Sequence, residues 1–582
     1  MIMKQSVFNL NTLKAHPERN AFDLSHNDVF SCAPGMLLPI SCTEVLPNEH
    51  YEINPQIFLR TMPLNSAAFV RMRQHVEFFF VPMRVLCRQF NQFVVGTKYP
   101  ISALDTLNDF NKTLPAVFLK EIRKWFVATK SIDGLHIPLV EGSRRLFDLL
   151  GYGISSYREV TEKNYPDTYS TIYTSQNSPA LSVLRLAAYQ KVYQDYYRNP
   201  YWEAPDASAF NFDDKFGLYL SSTSDAARMT KLFTIRYRNW AKDFFTSIQP
   251  SFQGAPFVSK RISMSSFTLN SSGEHQSFVP GFSEVLNFGS DSFSSGEFGS
   301  TALAADIKGT ETGILNIPIH NIRAAFALDK LYRLQQQAGN GSYGEQIRNR
   351  FGFGGVHDDW KATYIGGSSS PISIGEVITT ANTQSGSNSM LGQTGDIYGK
   401  ASSVNDARIT FDTKEHGIIM GIFSVTPDAD YNASGIDPHN FKLNFEQFYQ
   451  PEFDRLGHQP LNTYYLSCTS VIVDDDSRDW FQRVIGFQNR YLEYKTGIDK
   501  VHGQFCTGGS LSAWTAPRNS GIIRDTTDDG FSVYSLKVSP KILNSICSVA
   551  FDGKDNTDPI LVDSHIGIKA IRPMSVSDEP LL

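Results

Sequence analysis

Alternation of apolar and polar residues is clearest over Val70–Val81. Val70, Met72, Val76, Phe78 and Phe80 fall on one face, and Arg71, Arg73, His75 and Glu77 on the other. A period of two sustained over a dozen residues predicts a strand with one face on a core. Pro82 ends it, because proline has no N–H for a ladder. Further strands are expected at 53–61, 418–425, 464–473 and 531–538. A hairpin is expected over 521–538, turning at Asp529-Gly530.

Two segments follow the helical period instead. In 182–198, Leu184, Ala188, Val192 and Tyr196 recur every fourth residue, and Asn199-Pro200 closes the run. In 321–337, Asn321 is placed to cap, Ala324, Leu328 and Leu331 form a stripe, and Gly339 stops it. Both stripes are expected to serve packing.

Between them, 261–300 changes character: 17 of 40 residues are Ser or Gly, yet Phe267, Phe278, Phe282, Phe288 and Phe293 punctuate it. A flexible linker gains nothing from rings. This stretch is expected to be an ordered but adaptable surface excursion. Residues 381–402 read as a second polar loop. Strand-like runs flank both, which favours one β core with long insertions over separate domains.

Composition narrows the function. The chain has 582 residues, 13% aromatic and 19% charged, with a net charge of −6. That excludes intrinsic disorder and a globally basic nucleic-acid binder. Rings on a weakly charged chain suit broad sheets and large protein interfaces. Six scattered cysteines without C-x-x-C spacing predict free thiols in a reducing compartment. With no apolar leader and no apolar run of membrane-spanning length, a soluble protein made in a cytoplasm is expected.

Chemical motifs fail one by one. Gly395-Asp-Ile-Tyr-Gly399-Lys400-Ala401 is one residue short of a Walker loop and lacks its hydroxyl. Gly352-Phe-Gly354-Gly355-Val-His357 lacks the last glycine of a dinucleotide fingerprint. A calcium loop beginning at Asp525 would need a carboxylate where Leu536 stands. Asp474-Asp475-Asp476 with Asp479 reads as a solvated loop. No catalytic, cofactor or metal residues are expected, which leaves a binding or structural role. Basic signals are local. Lys4, Lys14 and Arg19 lie in a stretch with one acid, and Arg71 and Arg73 share one strand face. Arg236, Arg238 and Lys242 alternate with Tyr237 and Trp240. Cations beside rings suit stacking on unpaired bases, and an interface strand would carry the same pattern.

A set of fragments then falls into a recognisable order. It runs from Phe22-Asp-Leu-Ser25 through Pro34-Gly-Met-Leu-Leu-Pro39, Glu44-Val-Leu-Pro47, Arg60-Thr-Met-Pro-Leu64 and Phe78-Phe-Phe-Val-Pro82. Ala188-Tyr-Gln-Lys-Val-Tyr193, Tyr196-Tyr-Arg198, Lys242-Asp-Phe-Phe-Thr-Ser247, Ile322-Arg-Ala-Ala-Phe326 and Tyr364-Ile-Gly-Gly367 follow. Glu415-His-Gly-Ile418, Phe453-Asp-Arg-Leu-Gly457, Arg490-Tyr-Leu-Glu-Tyr-Lys495 and Arg572-Pro-Met574 complete it. In these fragments the chain resembles the major capsid proteins of microviruses, small single-stranded DNA phages, especially the gokushovirus-like and prophage-type branch. It departs at Pro250-Ser-Phe-Gln-Gly254 and Ala338-Gly-Asn-Gly-Ser-Tyr343, where arginines or lysines of the family pattern are missing.

The resemblance implies an all-β fold: a single eight-stranded antiparallel jelly roll spanning 1–582, with long inserted loops and few helices. It implies an N-terminal arm at 1–30, a large insertion at 83–250, and sixty copies in a T=1 icosahedral shell around circular single-stranded DNA. Expected partners are the chain itself, the genome, a small basic DNA-binding protein, other minor virion proteins and a host cell-surface receptor. The expected location is the virion, assembled in a bacterial cytoplasm. Lys4, Lys14, Arg19, Arg236 and Arg238 become candidate DNA contacts. Residues 255–312, with the five phenylalanines, become the candidate host-facing protrusion. The rivals are a jelly-roll carbohydrate-binding protein or enzyme, disfavoured by only six Trp, and a tail fibre, disfavoured by the lack of repeats.

Overall fold

The computed structural model describes residues 18–87, 90–95, 114–129, 139–153, 179–212, 219–250, 268–271, 274–277, 347, 360–378, 383–385, 389–392, 397–433, 435–454, 458–466, 484–518, 536–549 and 558–576. Ten antiparallel strands form its central sheet: β1 (Asn20–Asp23), β2 (His26–Cys32), β3 (Leu38–Val45), β4 (His50–Thr61), β5 (Met72–Pro82), β6 (Thr363–Ile378), β7 (Ile397–Asp406), β8 (Ile409–Asp412), β9 (Gly417–Pro427) and β10 (Ile560–Arg572). β1 and β2 both pair with β10, and the path then runs β4, β7, β6, β5, β9, β3. β6 turns the corner. Its Ser373–Ile378 half pairs with β7, and its Thr363–Ile372 half pairs with β5, with a bulge between Tyr364 and Gly366. With β1 and β2 sharing one position beside β10, and β7 and β8 another beside β4, the result is two layers, each four strands across, joined along one side in the strand order of a jelly roll.

Period-two sequence builds this directly. Along β4, Tyr51, Ile53, Ile57 and Leu59 are buried, while Gln56 and Arg60 are exposed. They face Ala570, Ile568, Ser564 and Val562 of β10, which alternate in step. Pro55 sits inside this central strand at a tolerated point. The neighbour on that side changes from β8, whose Ile409 opposes Ile53, to β7, whose Asp406 opposes Gln56. No ladder bond is asked of the proline there.

The other layer is covered on its outer face as well. β9 is buried along almost its whole length. Ile419, Phe423 and Val425 join the barrel core with Val76, Phe78 and Phe80. Ile418, Met420 and Ile422 join a second core with Phe79, Val81 and a helical layer. That layer comprises α1 (Leu119–Thr129), α2 (Leu139–Leu149), α3 (Leu184–Val192) and α4 (Ala226–Phe233). α3 ends in a π-helical turn, Tyr193–Tyr197, and Arg198 is already extended ahead of Asn199-Pro200. Instead of a single stripe, α3 buries every residue from Leu186 to Val192, because it lies against β5, β9 and α4. Gln190 tolerates burial by donating to the Leu232 and Thr234 carbonyls at 2.9 and 2.8 Å.

Two expectations from periodicity change. Residues 397–402, read as the end of a polar loop, belong to β7, whose inward residues Gly399, Ala401 and Ser403 are small. Thr463–Tyr465, read as the start of a strand, is a 3-10 turn. The chain leaves the barrel at Pro82 and rejoins it at Thr363, then leaves after Pro427 and returns at Ile560. The helix expected at 321–337 and the turn of the hairpin expected at 521–538 lie outside the described residues. A separate unit comprises residues 251–357 and 455–458. In it, Thr268–Ser271 pairs antiparallel with Glu274–Ser277.

Candidate functional site

Residues 236–240 form a strap across the barrel. The Leu37 N–H donates to the Arg236 carbonyl at 3.0 Å, and the Arg238 N–H donates to the Gly35 carbonyl at 2.7 Å. The Val538 N–H in turn donates to the Arg238 carbonyl at 2.9 Å. Alternation along the strap therefore has a structural meaning. Tyr237 joins the barrel core, and Arg236 and Arg238, the residues on either side of it, point the other way.

Both arginines are held internally. Arg236 donates to Gln190 Oε1 at 2.7 Å and lies 4.9 Å from the centroid of the Tyr193 ring. Arg238 forms a fork with Glu77 at 2.8 and 3.3 Å, and also donates to Ser424 Oγ at 3.1 Å. Tyr197 adds its hydroxyl to the same Glu77 carboxylate. Arg238, Glu77 and Tyr197 line an open cleft of about 500 Å³, which Phe79, Tyr196, Tyr364 and Trp240 also wall. Its rings can stack on planar groups, and its one arginine has its charge matched by Glu77. His75, on the same wall, is pushed down to about 4 by burial and by the Arg238 and Arg73 charges, against the pull of Glu77.

Among the other expected cations, Arg19 is exposed and its guanidinium donates to the Asn48 carbonyl at 3.0 Å. Lys4 and Lys14 lie outside the described residues, as do Phe267, Phe278, Phe282, Phe288 and Phe293. Arg71 is surrounded by Asp428, Asp430 and Asp499, the last at 2.7 Å. Among the described residues no three His, Cys, Asp or Glu side chains are grouped to hold a metal, and no helix is long and apolar enough to cross a membrane. Some buried polar groups are matched within the chain. Glu203 accepts from Tyr193 at 2.7 Å and from Lys537 at 3.0 Å, with Lys537 8% exposed.

Periodicity does not find a second surface, in the 428–559 insertion. Leu443, Phe445, Phe448 and Tyr449 are exposed on a run of 3-10 turns beginning at Pro438, beside the exposed Tyr494. The run is anchored from beneath. The Tyr449 ring lies 5.1 Å from the ring of buried Tyr491, and Lys442 reaches Glu493 at 3.2 Å while lying 3.4 Å from the Tyr494 centroid. Two of the fragments met in the sequence join here. Arg490 lies over Phe453 at 5.0 Å, and Lys495 pairs with Asp454 at 2.6 Å. Apolar residues spaced two, three and one apart within turns fit neither the strand nor the helix period, which hides them from a periodicity search.

Comparison with known proteins gives one consistent answer. The family described as "Capsid protein (F protein)" matches residues 11–117 and 154–522. A curated relative, Capsid protein VP1 of Chlamydia phage 1, is 24% identical over 633 aligned residues, covering 97% of this chain and 95% of the relative.

Proposed function

The chain belongs to the phage capsid protein (F protein) family, and on that premise we propose that sixty copies form a T=1 shell around a circular single-stranded DNA genome. Its role is structural rather than enzymatic, and its place is the virion. The observation that carries the assembly reading is the jelly roll itself. Its two layers close a core within one chain, while long insertions leave both connections free for contacts with other copies. Purified protein tested by gel filtration and negative-stain microscopy should give closed particles a few tens of nanometres across. A stable monomer or trimer would overturn the shell.

In this reading the genome is met on the inner face by dispersed cations, beginning with Lys4, Lys14 and Arg19. With Arg238 matched by Glu77 and Arg236 engaged by Gln190, the arm is the stronger of the two candidate sets. A chain of net charge −6 leaves most phosphate charge to a small basic partner protein. Changing Lys4, Lys14 and Arg19 to Gln should lower packaged DNA while empty shells still form. Unchanged DNA content would overturn the assignment. Residues 255–312, with Phe267, Phe278, Phe282, Phe288 and Phe293, form the host-facing protrusion in the same proposal. Deleting 261–300 should abolish attachment to the host and spare assembly, and the reverse outcome would refute it.

A further inference from the structure

The cleft beside Arg238 has a chemistry that the N-terminal arm does not supply. Arg73, His75, Glu77 and Phe79 follow one another along one face of β5, and the last three line the cleft. The rings of Tyr196 and Tyr364 lie 4.7 and 5.5 Å from that of Phe79, and Tyr364 is 48% exposed. The polar part of this wall carries no net charge. Arg238 and Glu77 cancel in their fork, and His75, held down to about 4, is uncharged near neutral pH. A flat, uncharged ring is the ligand such a wall takes, by stacking rather than by ionic contact.

Cations stand at both ends of the row. Lys361 Nζ lies 4.7 Å from the Tyr196 ring centroid, and Arg73 is exposed beside His75, opposite Thr426 of β9. Among the described residues neither forms an ion pair. Asp195, the carboxylate that feels Lys361, is paired with Lys191 at 2.9 Å. At the other end Asp428, Asp430 and Asp499 are drawn round Arg71 and bound the row there. From Arg73 to Phe79 is about 20 Å of strand, more than one nucleotide covers. A neutral sugar chain would leave both cations unused, an acidic peptide the rings, and a lone nucleotide one end. We propose that this cleft takes unpaired bases of a single-stranded nucleic acid, stacked on Tyr364 and its neighbouring rings, with backbone phosphates at Lys361 and Arg73. It rests on the reading of a shell around single-stranded DNA, and it puts one genome contact on the barrel itself.

Unassembled full-length protein, titrated with an oligo(dT) of about twelve nucleotides, with a DNA duplex of the same length and with dTMP, tests this. Tyr364→Ser should weaken oligo(dT) binding at least about fivefold. Tyr364→Phe keeps the ring and should bind within about twofold of the unaltered chain. Both variants should unfold at the unaltered denaturant midpoint. Should Tyr364→Ser unfold early, Arg73→Gln and Lys361→Gln decide instead. Each should flatten the fall of log affinity with log salt by about 0.7. Oligo(dT) affinity unchanged in Tyr364→Ser overturns the site, as does a salt slope that both Gln variants leave unchanged. Binding of dTMP or of the duplex as tight as that of oligo(dT) overturns the single-stranded ligand. Particle formation by the unaltered chain is scored separately. If shells form while these tests fail, only this contact is lost. If neither shells nor oligo(dT) binding is found, the capsid reading fails with it.

Discussion

Arg145, on α2, and Asp558, two residues before β10, face each other at 2.7 Å with side chains only 7% and 0% exposed. The pair fastens the helical layer to the last barrel strand, and Ser31 donates a further hydrogen bond to Asp558 at 2.6 Å. Burial still holds the Asp558 carboxyl above its usual range, against the pull of Arg145 and Ser31. Arg145→Met leaves that carboxylate without its cation and should cost about 3–5 kcal/mol in unfolding free energy. Because Asp558 then favours its protonated form in the fold, the deficit should grow as pH rises from 5 to 8. Denaturant titrations of the subunit at both pH values measure it. Arg145→Met with Asp558→Leu should recover much of the loss.

Gly35 makes a second long-range joint. It has φ +76°, and a Cβ there would meet Val538 Cβ at 2.7 Å and the Val538 carbonyl at 2.8 Å. Its own N–H donates to the Val425 carbonyl at 2.8 Å. Gly35→Ala therefore combines a left-handed backbone with a contact that backbone atoms must yield to. We expect at least about 2 kcal/mol of destabilisation and a lower thermal midpoint. A midpoint within a degree of the unaltered subunit would refute this account of the fragment Pro34-Gly-Met-Leu-Leu-Pro39.

The parts of the fold legible in sequence are those where large apolar residues alternate. β5 was readable because Val76, Phe78 and Phe80 all face one core. β7 was not, for a reason visible at Gly399: a Cβ there would lie 2.3 Å from the Ser66 carbonyl. Close approach of the 64–66 segment demands small inward residues, and small residues imitate a polar loop. Arg238 read as a free cation because Glu77 lies 161 positions away in sequence. Spacing cannot reveal such a partner. The resemblance supplied what periodicity could not, the order of strands whose connections run through long insertions.

His75 gives the pH prediction. Burial, with Arg238 and Arg73 nearby, lowers it from 6.5 to about 4, while Glu77 opposes. Thr426 Oγ1 lies 2.9 Å from its Nε2. Between pH 6.5 and 4 the unfolded chain takes up a proton that the folded chain refuses, so stability falls as pH falls through that window. The full shift corresponds to roughly 3 kcal/mol as an upper bound. His75→Gln should flatten this part of the stability–pH curve and leave the curve above pH 7 nearly parallel. An unchanged slope between pH 6.5 and 4 would exclude His75 as its source.

Two phenylalanines separate what holds the subunit together from what it leaves exposed. Phe78 is fully buried, so tightly set against β9 that a Cβ on Gly421 would lie 2.7 Å from its ring. Phe78→Ala removes a ring the surrounding sheet cannot replace and should cost about 3–5 kcal/mol. Phe445 is 78% exposed, and the hydrogen bonds made there use its carbonyl, which accepts from Gln450 Nε2 and from the Phe448 N–H, both at 3.2 Å, and survives substitution. Phe445→Ala should therefore stay within about 0.5 kcal/mol of the unaltered subunit. Urea midpoints of the two variants, taken on unassembled protein, compare them directly. A large loss for Phe445→Ala would mean that its ring packs within the subunit, so that its burial already belongs to folding.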